Sequence, residues 1–144
     1  MTERCVDASI AVKWAMKEEP FREKAFVFLS DAGTSGIRLI APPHFVSEVD
    51  SAIRKRVFDG RMSTGEAQKA YAILEAAPVE IVDMPGVRHR AREMAEQFNQ
   101  RFVYDATYAA LAELRGCDFW TADKMFYDAV KTRLRFVKYL PNYP

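Results

Sequence analysis

Short apolar runs recur along this chain, and segments with helical spacing separate them. No other feature constrains the fold as much. The runs are "RCVD" (4–7), "IRLIAP" (37–42), "VEIV" (79–82) and "CDFWT" (117–121), with "LRFVKYL" (134–140) as a fifth candidate strand. "ASIAVKWAM" follows the first run as a helix. "PFREKAFVFLSDAG" opens on proline and carries Phe21, Ala25, Phe28 and Leu29 on one helical face, with Gly33 as its expected stop. In "HFVSEVDSAIRKRVFDG", Phe45, Val49, Ile53 and Val57 recur every four residues, which is one face of a helix. "STGEAQKAYAILEAAP" opens with a capping box, Ser63 to Glu66, and ends before Pro78. Val87, Ala91, Met94, Ala95 and Phe98 line one face of the next helix. A further helix runs from Asp105 to near Gly116, and "ADKMFYDAVK" forms a short last one.

Strands that alternate with single helices or helix pairs predict an α/β fold. Its sheet should be mostly parallel, of about four to five strands, with helices on both faces. No repeat, low-complexity segment or linker divides the 144 residues, so one domain over 1–144 is expected. No apolar run reaches 18 residues, and the N-terminus lacks a signal-peptide layout; a cytoplasmic protein with no membrane span is expected. Cys5 and Cys117 fall in strand-like runs and read as small buried hydrophobes, not a disulfide. His44 and His89 have no companions at a metal-ligand spacing.

Acids stand where these elements meet. Asp7 ends the first strand, Glu48 lies in the first turns of the helix after the second, and Asp123 follows the fourth. Asp105 starts the helix that leads into that fourth strand. In a parallel α/β sheet this points all four toward one rim, beyond the carboxyl ends of the strands, where such sheets bind ligands. Each aspartate alone reads first as a helix N-cap and nothing more. Together they would raise one another's pKa, so that protons or cations must occupy the rim. An all-oxygen, carboxylate-rich set suits Mg²⁺ or Mn²⁺. Ser9 and Thr121, each two residues from an acid, carry hydroxyls able to orient water there or to bond a helix start.

"CVDASIAVKW", "PHFVSEVDSAI", "VYDATYAALA" and "WTADK" resemble, in order and spacing, the successive motifs of PIN-domain proteins. They are similar in particular to the VapC-like toxin ribonucleases of toxin–antitoxin modules. The resemblance spans essentially the whole chain, and "YDATYAALA" followed by "TAD" carries most of its specificity. It implies a three-layer α/β/α sandwich, often a homodimer. It also implies an endoribonuclease dependent on Mg²⁺ or Mn²⁺, hydrolysing RNA with a metal-activated water and inhibited by an antitoxin protein. On this resemblance Asp7, Glu48, Asp105 and Asp123 are the metal-binding catalytic quartet, with Ser9 and Thr121 as the hydroxyls beside it. One departure is Ser51, where the family often has asparagine. Asp50, beside Glu48, reads as a solvated helix residue.

The formal net charge of +1 leaves no general electrostatic footprint for nucleic acid, so RNA must meet a local basic patch. Lys13, Arg54, Arg56 and Lys124 are the candidates, with Arg61 at the exit of the Glu48 helix. Trp14, Phe45 and Tyr104 offer rings that stack on bases or fill the core. Two other readings stay open: a PIN-like binding module without catalysis, and a receiver-like signalling domain. "VDMPG" (82–86) and "KYLP" (138–141) resemble receiver loops, but receivers place adjacent acids after the first strand, and Asp7 stands alone.

Overall fold

A computed structural model describes residues 2–144. Its strands are β1 (Glu3–Val6), β2 (Arg38–Ala41), β3 (Val79–Ile81), β4 (Asp118–Thr121) and β5 (Val137–Tyr139). They form one five-stranded sheet in the order β3–β2–β1–β4–β5, and every neighbouring pair is parallel. The helices are α1 (Ala8–Ala15), α2 (Arg22–Thr34), α3 (His44–Phe58), α4 (Thr64–Ala76), α5 (Val87–Gln97), α6 (Tyr104–Arg115) and α7 (Lys124–Val130). A 3-10 turn, Leu140–Asn142, follows β5.

The strand order explains the layers. From β1 the chain steps outward to β2 and β3, then returns to β4 on the other side of β1. Right-handed crossovers therefore put α1–α4 on one face and α5–α6 on the other. Packing agrees: α1 lies against α2, α3 and α4, while α5 runs along α6, which covers β1 and β4. This is the three-layer α/β/α sandwich with a parallel sheet that the alternation of elements predicts. The direction of strand stepping reverses at β1, so a crevice must open beyond its carboxyl end.

The core is built from the periodic positions. Phe45, Val49 and Ile53 of α3 are buried, as are Val87, Ala91, Met94 and Ala95 of α5. Tyr108 and Phe119 stack at 5.5 Å with their planes 3° apart. Trp14 is buried and its indole N–H donates to the Ala25 carbonyl at 3.0 Å, so it serves the core, as does Phe45. The Ser63–Glu66 capping box forms in both directions.

Three local expectations shift. β1 stops at Val6, because Asp7 turns its carboxylate onto the Ile10 N–H and caps α1. α2 runs through Gly33 to Thr34, and the left-handed turn comes at Gly36, φ +66°. A glycine inside a helix costs only about 1 kcal/mol, whereas the reversal needs positive φ. Cys5 is fully buried in β1, but Cys117 precedes β4 and is half-buried; both are free thiols. Among the described residues no helix is long and apolar enough to cross a membrane.

Candidate active site

Asp7 sits at the switch point, and the fold buries it almost completely, at 3% exposed. Both of its oxygens are engaged. Oδ1 accepts from the Ser9 hydroxyl at 2.5 Å and from the Ile10 N–H at 3.4 Å; Oδ2 accepts from the Thr121 hydroxyl at 2.6 Å. Thr121 in turn accepts from the Asp123 N–H at 3.0 Å, and Ser9 Oγ accepts from the Ala122 N–H at 2.9 Å. The two hydroxyls thus tie the ends of β1 and β4 together around one carboxylate. Asp123 caps α7 through the Phe126 N–H at 3.2 Å.

Asp105 behaves differently. α6 begins one residue earlier than expected, at Tyr104, and no side chain caps it. Asp105 lies in its first turn, half-buried, with none of its oxygens on a free helix N–H. Capping does not account for this residue. Glu48 lies one turn into α3, and its Oε1 accepts from the Tyr108 hydroxyl at 2.7 Å. His44 Nε2 is 3.2 Å from the same oxygen but is not aligned to hydrogen-bond it.

The electrostatics tie the four acids together. Burial raises the Asp105 pKa first, and the charges of Asp7, Asp123 and Glu48 raise it further, to about 8. Asp7 is also pushed up by burial, to about 6, with the Ser9 and Thr121 hydroxyls opposing and Glu48 adding to the rise. The Tyr108 hydroxyl is driven far up, by burial and then by Asp7 and Glu48, and remains a protonated donor. A carboxylate rim that resists ionisation is chemically matched to a hard divalent cation. Among the described residues no three such side chains are spaced to grip one ion directly.

The structure brings the quartet together with Ser9 and Thr121, and it treats the basic candidates unequally. Lys13 is only 4% exposed. Its ammonium donates to the Pro20 carbonyl at 2.7 Å and to Glu19 at 3.4 Å, which removes it from the RNA candidates. Arg56 is held in an ion pair with Glu19, so it too is committed within the fold. Arg54 is exposed, but six residues place it about 120° around α3 from Glu48. Lys124 is exposed beside Asp123 and pairs with Asp128 at 2.6 Å. Sequence reasoning missed His44 and Tyr108. Their signals were the i,i+4 spacing of His44 to Glu48 and the i,i+3 spacing of Tyr108 from Asp105.

The fold and the acid at its switch point define a class. The chain matches the PIN-domain model over residues 4–131 and belongs to the PIN-domain family, whose members are generally nucleases. Membership sets aside the receiver-like reading. Two solved structures are similar throughout their length. One is PAE2754 from Pyrobaculum aerophilum, 21% identical, covering 94% of this chain and 95% of that one at a TM-score of 0.64. The other is VapC20 from Mycobacterium tuberculosis, a sarcin–ricin-loop-cleaving toxin, 18% identical, covering 88% and 95% at 0.63. At such identities the likeness is one of fold. No curated protein matches the chain by sequence.

Proposed function

We propose that this protein is an endoribonuclease dependent on Mg²⁺ or Mn²⁺, and the toxin of a toxin–antitoxin pair. The observation that carries the reading is Asp105. A half-buried carboxylate that caps nothing, and that three other acids push toward neutrality, has no structural use in a metal-free fold. Asp7, Glu48, Asp105 and Asp123 would hold the cation, which when bound supplies charge for the phosphate and activates water for hydrolysis. Ser9 and Thr121 fix the Asp7 carboxylate, so that it meets a ligand in one orientation. Tyr108 fixes Glu48 in the same way. Resemblance to VapC-like proteins and the shared fold with VapC20 support an antitoxin partner, a homodimer, a cytoplasmic setting and a single domain over 1–144.

The test is cleavage of RNA oligonucleotides by the purified protein in Mn²⁺, in Mg²⁺ and in EDTA. Cleavage should require metal. Asp7→Asn, Asp105→Asn and Asp123→Asn should each remove most of it while circular dichroism stays unchanged. RNA binding with no cleavage under any metal would leave a binding module. The toxin assignment is checked by growth arrest on expression, and by relief on co-expressing the small open reading frame expected directly upstream.

A further inference from the structure

Three rings lead away from Glu48. His44 lies within an ion-pair distance of that carboxylate; its ring is 5.8 Å from Tyr104, at 41°, and Tyr104 is 5.9 Å from Phe102, at 35°. Tyr104 and Phe102, one and three residues before Asp105, are 53% and 60% exposed. The two rings adjoin each other beside a half-buried acid, and a contiguous exposed patch of that kind marks a binding surface. Tyr104 also forms one wall of a cavity of about 440 Å³, with Glu48, Ser47, Ser51 and Lys55 among its other walls. Arg101 lies 5.4 Å over the Phe102 ring. Across the same segment, Val103 lines a second cavity, of about 580 Å³, with Arg88 and Arg92. Among the described residues none of these three arginines pairs with a carboxylate.

We infer that the segment 101–104 is a stacking track for single-stranded RNA, with His44, Tyr104 and Phe102 taking successive bases and Arg88, Arg92 and Arg101 facing the backbone. The inference deepens the nuclease reading and rests on it for the identity of the ligand. Bases have apolar faces and phosphates carry negative charge, and this ridge presents rings and unpaired guanidinium groups side by side. A duplex keeps its bases stacked on one another and has none to offer the rings. Substrates are therefore unpaired stretches, loops or ends. Ser47 and Ser51, in the cavity wall, are positioned to meet the edge of a base stacked on Tyr104.

The test is fluorescence anisotropy in EDTA, where binding is read without cleavage. The probe is a labelled single-stranded 12-nucleotide RNA, alone or annealed to its complement. The unsubstituted protein should prefer the single strand. Phe102→Ala with Tyr104→Ala should weaken single-strand binding roughly a hundredfold, at about tenfold per lost ring, and leave duplex binding unchanged. Phe102→Leu with Tyr104→Leu keeps apolar bulk and should lose as much; Phe102→Trp with Tyr104→Trp should not. Arg88→Gln with Arg92→Gln should flatten the salt dependence for both strand forms. Equal affinity for duplex, no single-strand binding, or unchanged affinity in the alanine pair would overturn the track. If the alanine pair instead changes the mass by light scattering while affinity holds, the ridge is a contact between copies and the inference fails. Tight, ring-dependent binding without cleavage in Mn²⁺ would refute the nuclease and leave the track. Cleavage with an unchanged KM in the alanine pair would do the reverse.

Discussion

Asp105→Asn should make the metal-free protein more stable at neutral pH, and the gain should vanish in acid. The folded pKa of Asp105 is about 8 against a usual 3.8, so the folded state holds a proton that the unfolded chain releases. Below pH 3.8 both states are protonated and the site costs nothing. Between 3.8 and 8 the unfolded state alone ionises, and stability falls as pH rises. Above 8 both are ionised and the loss levels off. Each pH decade in that window costs about 1.4 kcal/mol, so by pH 7 the loss is about 4 kcal/mol. Asparagine copies the protonated shape and never ionises. It also removes no cap, because Asp105 makes none. Urea unfolding in EDTA should therefore show a gain of about 4 kcal/mol at pH 7 and only about 1 kcal/mol at pH 4.5. A slope should persist below pH 6 in the variant, because Asp7 titrates there by the same logic. An Asp105→Asn protein that is destabilised at pH 7, or shifted equally at both pH values, would refute the shared rim.

Three further outcomes are expected. Millimolar Mn²⁺ should raise the melting temperature near pH 7.5 by several degrees, since a hundredfold excess over Kd is worth about 2–3 kcal/mol. That gain should shrink as pH falls through about 8, where Asp105 takes up a proton, and fade below about 6, where Asp7 does, and Asp7→Asn with Asp123→Asn should abolish it in the same melting assay. Tyr108→Phe keeps the ring stacked on Phe119 but frees Glu48; unfolding should show a loss of about 1 kcal/mol, and the cleavage rate should fall more than RNA affinity. Lys13→Met should destabilise by about 1–3 kcal/mol in urea, by leaving Glu19 and the Pro20 carbonyl short of a donor, with no change in RNA anisotropy. Lost RNA affinity at full stability would return Lys13 to the RNA path.

The alternation of apolar runs and helical spacing was enough to read the sheet, because a parallel sheet leaves few ways to connect such elements. The places of Asp7 and Asp123 were legible for the same reason: a residue placed just after a strand has little choice of edge. What escaped the sequence depends on contacts between distant segments. Lys13 reads as a free surface cation until the turn at 16–21 folds Glu19 and the Pro20 carbonyl over it. Tyr108 looks like a core ring, and is one, yet its hydroxyl reaches Glu48 sixty residues away in the chain. Whether Asp105 caps its helix turned on a single residue of register, which propensity does not resolve. Gly33 and Gly36 differ only in which one must take positive φ, and the position of β2 decides that.

The central strand is the first in the chain, and its pairing waits for the fourth. β1 gains β2 early, but its other neighbour is β4, and the Thr121 hydroxyl that holds Asp7 lies 114 residues further along. Contacts of such separation form late, after long stretches of chain have been ordered. During translation the nascent protein therefore carries Asp7 through the whole stretch up to β4 without the Thr121 hydroxyl that orients it, and without Asp123. The rim closes only once β4 and Asp123 have left the ribosome. For a chain that we read as cutting RNA, no stretch that ends before β4 carries the assembled site.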